Sequence, residues 1–334
     1  MSYQESIHDL AKELPINNGS FLITGATGLI GSCIIDTLLY ANVKGANFKI
    51  YAMSRSRKKV MEKFGDKVIP VIQDVAQPLG ILSKYDYIIH CASNADPKSY
   101  AIQPVETILT NILGNKNVLE YCKEYKKCRM LLTSTFEVYG EISNTSVYKE
   151  NMSGIIDQTV LRNAYPESKR SCELLLRSYV DEYNINAVIC RLPSVYGPTM
   201  LKSDSKAHGQ FIKNALNKEN IVLKSKGEQR RTYSYVVDVV SGIFEVLFDG
   251  LNGEDYNIAN EDSIASIAEV ASICAEIAGT NVVFDLPDKI EKKGFSQSKD
   301  CILDNSKLKS LGWNGKYTLK QGLVETIESL REDE

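Results

Sequence analysis

The sequence predicts an α/β fold, with a doubly wound parallel sheet and a smaller mixed lobe toward the carboxyl-terminal end. In the first part of the chain, short apolar runs typical of buried strands alternate with longer stretches of helical periodicity. That order implies βαβ units and a parallel sheet covered by helices on both faces. After residue 192 the alternation stops, and prolines and glycines interrupt short periodic pieces. We therefore assign residues 1–192, with about 236–260, to the larger domain and residues 193–235 and 261–334 to the smaller lobe.

The individual elements follow from the spacing of apolar residues. Residues 21–24 form the first buried strand, and residues 29–40 form a helix because Ile30, Ile34 and Leu38 share one helical face. Pro70 weakens the prediction of a third strand, because proline has no N–H to donate to a neighbouring strand. Further strands are predicted at residues 49–53, 68–72, 87–90, 130–133 and 186–190, and further helices at residues 104–126, 165–184, 236–249, 264–278 and 319–331.

The composition is that of a packed globular protein and excludes several classes. Of 334 residues, 43% are apolar and 24% are charged, which supplies enough apolar material for a sizeable core. Lys and Arg number 39 against 42 Asp and Glu, and this balance argues against a nucleic-acid partner. We find no apolar run of membrane-spanning length and no secretory signal at the start, so we expect no membrane partner.

The eight cysteines and three histidines show no spacing typical of a ligand set. No two cysteines form a CxxC pair, and most lie within apolar runs. Reduced thiols in a core are typical of cytoplasmic proteins, whereas disulfide frameworks are typical of secreted ones. We therefore expect a cytoplasmic protein without a metal site.

A glycine-rich turn follows the first strand directly. Glycine permits the positive φ of a sharp strand-to-helix turn and lets backbone amides approach a pyrophosphate, which the helix N-terminus also attracts. An ordinary glycine-rich turn is the alternative, but the position between a buried strand and an amphipathic helix favours a dinucleotide site. The predicted phosphate-binding residues are Gly25, Thr27, Gly28, Leu29, Ile30 and Gly31.

The GxxGxxG spacing of this turn resembles the short-chain dehydrogenase/reductase superfamily. Later motifs, including a segment at residues 92–97 similar to decarboxylase sequences, resemble its extended branch of nucleotide-sugar epimerases, dehydratases and UDP-glucuronate decarboxylases. The resemblance covers nearly the whole chain and implies a Rossmann-type fold that binds a nicotinamide dinucleotide. It implies further cofactor contacts at Asp74, Val75, Cys91, Ala92, Ser93, Asn111, Thr133, Tyr165, Lys169, Pro193 and Ser194.

The end of the second strand indicates which dinucleotide is bound. NAD-preferring sites usually place a carboxylate there, to accept hydrogen bonds from the ribose. This chain has Ser54 at that position, followed by Arg55. Because a guanidinium can bind a 2′-phosphate with two hydrogen bonds, we expect NADP, with NAD as the alternative.

Tyr165 and Lys169 form a YxxxK pair at the start of a predicted helix, where four residues make about one turn. A phenol with a pKa of about 10 is a poor base, and a nearby ammonium stabilises its charged form. Residues 132–140 resemble the family motif S-T-x-E-V-Y-G. By that match Thr135 hydrogen-bonds the substrate hydroxyl and Glu137 is a second acid/base, or alternatively a carboxylate in an ion pair.

Several departures from the family pattern concern the substrate. Phe136 stands where the 4,6-dehydratases carry an Asp, which makes dehydration less expected, because phenylalanine cannot protonate a leaving hydroxyl. Ser194 replaces an Asn, whereas Arg231 matches the arginine that holds the substrate diphosphate. The resemblance implies substrate contacts at Asn94, Thr135, Phe136, Glu137, Tyr165, Ser194, Lys206, Phe211 and Arg231.

Together these features predict a nucleotide-sugar epimerase that acts through a transient keto-sugar on a nucleotide-diphosphate sugar. A nucleotide-uronate decarboxylase and an NADPH-dependent keto-sugar epimerase/reductase are the alternatives. A non-catalytic cofactor sensor is disfavoured because Thr135, Tyr165 and Lys169 are all present. The helices at 104–126 and 165–184 resemble those that pair between subunits in this family, so a homodimer is expected.

Overall fold

Seven parallel strands form the central sheet in the computed structural model, which describes residues 2–80, 83–285 and 300–332. The strands of the chain are β1 (Asn18–Thr24), β2 (Asn47–Ser54), β3 (Ile69–Ile72), β4 (Tyr87–His90), β5 (Arg129–Thr135), β6 (Val147–Tyr148), β7 (Asn186–Leu192), β8 (Ser194–Tyr196), β9 (Ile221–Leu223), β10 (Arg230–Tyr235), β11 (Asp255–Asn257), β12 (Ile264–Ser266), β13 (Val282–Phe284) and β14 (Ile302–Leu303). The order in the sheet is β11-β7-β5-β4-β1-β2-β3. The predicted doubly wound α/β fold is confirmed.

Helices cover both faces of this sheet. They are α1 (Tyr3–Lys12), α2 (Leu29–Val43), α3 (Arg57–Phe64), α4 (Pro97–Ile102), α5 (Pro104–Glu124), α6 (Ala164–Tyr183), α7 (Ala207–Leu216), α8 (Val236–Asp249), α9 (Ile267–Ala278), α10 (Ser306–Lys309) and α11 (Leu319–Glu332). The strand order reverses between β1 and β4, and in such folds ligands bind in the crevice beyond the carboxyl ends of those strands.

Alternate residues of the buried strands enter two separate apolar cores. In β1, Phe21 and Ile23 pack in the core that includes α2 and α8, whereas Leu22 packs on the opposite face with α5 and α6. In β5, Leu131 packs in the first of these cores and Leu132 in the second. Because side chains alternate across a strand, continuous apolar runs are what a sheet buried on both faces requires.

The smaller sheets lie in the second part of the chain. β8, β10 and β12 form one of them, and β9 with β13 and β6 with β14 form two-stranded pairs. α8 packs on the central sheet and β11 joins its edge, so residues of 236–260 lie with the first part of the chain. The assignment of two domains stays a prediction.

Several elements differ from the sequence prediction, and three of them show the physical reason. α1 was not predicted, although Ser2 and Glu5 form a capping box at its start. The helix predicted at 264–278 begins only at residue 267, because Ser266 and Glu269 form a second capping box. β11 was not predicted either, since its three residues carry no apolar pattern. Pro70 lies in β3, at the sheet edge, where a missing N–H does least harm.

All eight cysteines lie in the described residues and are free thiols, six of them buried. Across residues 2–80, 83–285 and 300–332 there is no helix both long and apolar enough to cross a membrane. The same residues contain no group of three or more His, Cys, Asp or Glu side chains arranged to hold a metal ion.

Candidate active site

The turn after β1 forms a cradle that requires glycine. Gly25 has a φ of +67°, and a Cβ on it would lie 2.9 Å from the backbone that follows β4. A Cβ on Gly31 would lie 2.5 Å from the Gly25 carbonyl oxygen. The N-cap of α2 is Gly28, which has no side chain to accept from the first helical amides. The start of α2 therefore has both the space and the donors for a pyrophosphate.

The other predicted cofactor residues lie around this cradle, at the carboxyl ends of adjacent strands. Ser54 ends β2, and the Arg55 side chain beyond it is 82% exposed, 3.9 Å from the Asp74 carboxylate. The partly buried members of the set are Thr27, Leu29, Ile30, Cys91, Ala92 and Ser93, and the buried members are Val75, Asn111, Thr133, Pro193 and Ser194. Because the strands are parallel and in register, the residues that follow the strands line one edge of the sheet, whereas Asn111 lies on α5.

A chain of hydrogen bonds joins the segment after β4 to the helix that carries the YxxxK pair. The Ser93 hydroxyl donates to Asn111 Oδ1 at 2.7 Å, and Asn111 Nδ2 donates to Ser168 Oγ at 2.8 Å. The Ser168 hydroxyl donates in turn to the Tyr165 carbonyl at 2.9 Å. Asn111 thus connects the cofactor edge to the first turn of α6.

Lys169 is buried, with 3% of its surface exposed. Its Nζ donates to the Thr133 carbonyl at 2.9 Å, and the Thr133 hydroxyl donates to the His90 carbonyl at 2.9 Å. Burial lowers the pKa of Lys169. The ammonium is therefore fixed at the end of β5, beside the neighbouring strand β4.

Tyr165 begins α6 and is 7% exposed. Burial raises the pKa of its phenol, the Glu137 charge raises it further, and a hydrogen bond with Thr135 opposes the rise. Thr135 Oγ1 already accepts from the Glu137 amide at 3.3 Å, so its proton remains available to the phenolic oxygen. Burial therefore dominates, and Lys169 contributes no lowering of the Tyr165 pKa in this structure, contrary to the expectation from the sequence.

Glu137 lies in a short turn after β5, among positively charged side chains. Its carboxylate is 3.5 Å from the guanidinium of Arg162. Burial raises the pKa of Glu137, and the charges of Arg162, Arg231 and Lys206 oppose that rise. The residue therefore forms the ion pair considered as one alternative, and it also lies close enough to Tyr165 to act in the same pocket.

Of the remaining predicted substrate residues, Arg231 and Lys206 are the ones whose charges act on Glu137. The Arg231 guanidinium lies 5.6 Å from the centre of the Phe136 ring, so phenylalanine here packs against the cation. The Asn94 side-chain amide donates a hydrogen bond to the Thr107 hydroxyl on α5, and Lys206 is the residue before α7. Phe211 is 4% exposed and packs in the main core.

Two residues of the pocket were not found from the sequence. The Tyr100 ring, on α4, stacks on Tyr165 with centroids 5.0 Å apart and an interplanar angle of 8°. Arg162 donates to the Tyr100 hydroxyl at 3.0 Å and pairs with Glu137. Neither residue belongs to a motif, and only the proximity of Arg162 to Tyr165 in the sequence could have indicated it.

A buried ion network supports the carboxyl end of β5 on the side of α6. Glu173, one turn after Lys169 on α6, accepts from Ser134 at 2.6 Å and from Arg191 at 2.7 Å. Arg191 also lies 2.8 Å from Asp255 on β11. Because each charge has an opposite charge and hydrogen bonds, the network can remain ionised inside the fold.

The glycine cradle and the Tyr165–Lys169 pair in the crevice between β1, β4 and β5 define a nicotinamide-dinucleotide-dependent enzyme of the short-chain dehydrogenase/reductase type. A family model described as the NAD dependent epimerase/dehydratase family matches residues 21–259. The chain belongs to that family.

Curated relatives and solved structures agree with this assignment. UDP-glucuronic acid decarboxylase 4 of Arabidopsis thaliana is 31% identical over 316 residues, which are 93% of this chain and 68% of the relative. UDP-glucuronic acid decarboxylase 3 of the same plant is 30% identical over 331 residues, 95% of this chain and 92% of the relative. The UDP-glucose 4-epimerase of Thermotoga maritima, solved with UDP-glucose, superposes with a TM-score of 0.81 and 25% identity, covering 94% of this chain and 99% of that one.

Proposed function

We propose that this chain is a nucleotide-sugar epimerase that acts through a transient keto-sugar. The observation that carries the proposal is the convergence of Thr135, Tyr165 and Lys169 at the carboxyl end of β5, with Glu137 in the same pocket. The glycine cradle fits the pyrophosphate of a dinucleotide, and when bound the nicotinamide accepts a hydride from the sugar carbon and returns it.

The roles of the protein groups in the first step follow from their contacts. The Tyr165 oxygen takes the proton of the sugar hydroxyl as the carbon loses its hydride. Thr135 donates its proton toward the phenolic oxygen, and this hydrogen bond favours the phenolate. Lys169 is assigned to the catalytic pair by its YxxxK spacing. Because burial raises the pKa of Tyr165, positive charge in the crevice is needed before the phenol can act as a base.

Glu137 supplies the second step. The ketone acidifies the neighbouring C–H bonds, and Glu137 can remove or return a proton there. Its raised pKa brings the carboxyl nearer to neutrality, where a general acid/base is most effective. Phe136 offers no proton to a leaving hydroxyl, and we therefore do not propose 4,6-dehydration.

Decarboxylation of a nucleotide-uronate is the second candidate, favoured by two observations. The curated relatives reported above are UDP-glucuronic acid decarboxylases. Three cations, Arg162, Arg231 and Lys206, surround the pocket and would attract a substrate carboxylate in addition to a diphosphate. A keto group beside the carbon that bears the carboxylate accepts the electrons of the broken C–C bond as an enolate when CO2 leaves. Glu137, proposed above as the acid/base beside the ketone, can then protonate that carbon.

We propose NADP as the cofactor, with NAD as the alternative. Support comes from Ser54 and Arg55 at the end of β2, where no carboxylate is present. Arg55 is 82% exposed, so its guanidinium can turn from Asp74 to a 2′-phosphate at little cost.

We propose a homodimer formed by α5 and α6. Val105, Leu109 and Leu113 follow one stripe of α5 and are 61%, 48% and 38% exposed, and Leu174 on α6 is 66% exposed. A continuous apolar stripe on the surface is typical of an interface between subunits.

The test is incubation of the purified protein with a panel of nucleotide-diphosphate sugars that includes UDP-glucose and UDP-glucuronate. A stereochemical change without net redox supports epimerisation, CO2 release supports decarboxylation, and stoichiometric loss of NADPH supports net reduction. Tyr165→Phe, which keeps the stacked ring, should abolish each of these products. Turnover by that variant would show that the assignment of the base is wrong.

A further inference from the structure

The Tyr100 ring forms a flat wall for the phenol of Tyr165. The two rings are nearly parallel, at 8°, and Tyr100 is 1% exposed. Its hydroxyl accepts from Arg162, whose guanidinium pairs with Glu137. Tyr100 therefore contacts the base directly and is one hydrogen bond away from the ion pair that holds the second acid/base.

The helix that carries Tyr100 depends on contacts with other segments, among them α5, the turn at 161–163 and a hydrogen bond from the Lys98 amide to Ser205 Oγ at 3.4 Å. α4 has six residues, and helices of that length are not stable alone. Its N-cap is Asp96, whose Oδ2 accepts from the Ser99 amide and the Ser99 hydroxyl, both at 3.0 Å. Asp96 Oδ1 accepts from the Ser205 amide at 3.0 Å and the Ser205 hydroxyl at 2.6 Å. One carboxylate thus fastens both the start of α4 and a loop from the second part of the chain.

That loop, residues 199–206, ends at Lys206, whose ammonium lies 3.4 Å from the Asp204 carboxylate of the same loop. Lys206, next to Ser205, is one of the three cations that act on Glu137. At its other end, Thr199 donates to the Leu29 carbonyl at 2.7 Å, at the start of the dinucleotide cradle. The loop whose Ser205 is held by Asp96 therefore runs between the start of α2 and a cation that acts on Glu137.

We propose that Tyr100 is a positioning residue for Tyr165, and that the Asp96–Ser205 contact couples its placement to docking of the 199–206 loop. The inference rests on the proposed function, because it takes Tyr165 as the base. When the loop is docked, Asp96 fixes α4, Tyr100 packs on the phenol, and the phenol is aimed into the crevice. When the loop is released, α4 loses the Asp96–Ser205 hydrogen bonds, and Tyr100 no longer holds the phenol of Tyr165 in place.

The first experiment tests the wall. Tyr100→Leu removes the stacked ring and should lower kcat about ten-fold or more with little change in KM, because misaimed catalytic groups cost rate rather than binding. Tyr100→Phe keeps the ring and should recover most of kcat. Wild-type kcat in Tyr100→Leu, or an equal loss in both variants, would overturn the inference.

The second experiment tests the coupling and needs no substrate. Asp96→Ser retains an N-cap oxygen for the Ser99 amide but cannot also hold the loop. Hydrogen exchange at residues 97–102 should rise in Asp96→Ser and in Ser205→Ala, and not in Ser203→Ala, an exposed control in the same loop. The double variant Asp96→Ser/Ser205→Ala should lose no more kcat than Asp96→Ser alone. Unchanged exchange, or additive losses, would contradict the coupling.

Failure of this inference is distinguishable from failure of the proposed function. If Tyr165→Phe still reduces the nicotinamide in a single turnover with UDP-glucose or UDP-glucuronate, the proposed base is wrong. If Tyr165→Phe is inactive while Tyr100→Leu matches the wild type, the base stands and only the positioning role of Tyr100 fails.

Discussion

The pH dependence of stability offers a quantitative test of how the crevice is built. His90 ends β4 and is 1% exposed, and its Nδ1 is hydrogen-bonded to Thr24 Oγ1 at 2.8 Å. Burial, with a smaller contribution from the charge of Lys169, lowers the pKa of His90 from 6.5 to about 3. The folded protein therefore keeps this imidazole neutral at pH values where the unfolded chain protonates it.

The sign and magnitude follow from linkage. Because the pKa is lower in the folded state, the unfolded state binds more protons below about pH 6.5, and stability falls as the pH falls toward about 3. From about pH 7 to about pH 5, protonation of His90 in the unfolded chain alone should lower the free energy of unfolding by about 2 kcal/mol, which corresponds to roughly 1.5 pH units. Carboxyls with raised pKa values, such as Glu137 and Glu150, change stability in the opposite direction.

The variant His90→Asn isolates this contribution. Asn keeps an oxygen that can accept from Thr24 but does not titrate, and the carboxyl effects are the same in both proteins. The stability advantage of the wild type over His90→Asn, measured by urea unfolding, should therefore shrink by about 2 kcal/mol from pH 7 to pH 5. An advantage of the same size at both pH values would mean that the folded imidazole accepts the proton, and the burial argument would be refuted.

Three further predictions concern stability, assembly and cofactor choice. Glu173→Gln removes the charge facing Arg191 and should lower the free energy of unfolding, measured with urea, by about 2–4 kcal/mol. Glu62→Gln, at an exposed position, should change it by less than about 0.5 kcal/mol, and equal effects of the two variants would contradict the buried network. Leu109→Glu should convert a dimer to a monomer in sedimentation, and unchanged sedimentation counts against the α5 interface. Arg55→Met should weaken NADP binding about ten-fold or more in calorimetry and NAD binding little, so parallel losses would exclude a 2′-phosphate contact.

Local patterns predicted those parts of the fold and site that are encoded within a few residues. The glycine turn is visible in the sequence because close backbone contacts require glycine at Gly25 and Gly31. The YxxxK pair is visible because one helical turn fixes its spacing. The central strands were visible because burial on both faces demands continuous apolar runs.

Two features that the sequence did not predict, β11 and the stacking of Tyr100, depend on contacts between distant segments. β11 contains Asp255, Tyr256 and Asn257. It forms a strand because it pairs in parallel with the edge strand β7 and because Asp255 forms an ion pair with Arg191. Tyr100 lies 65 positions before the residue on which it stacks, by the numbering of the chain. No periodicity connects such pairs, so only the folded arrangement shows them.

The end of β5 shows how the fold separates support from chemistry. Leu132 and Ser134 face the α5 and α6 side, where Ser134 is held by Glu173, while Thr133 and Thr135 alternate with them and meet the crevice. The strand end is thus fixed by a buried ion network on the side away from the crevice. Substitutions at Thr135 should consequently reduce activity with little loss of stability, whereas a change at Glu173 should reduce both, because it loosens the strand from which the crevice residues project.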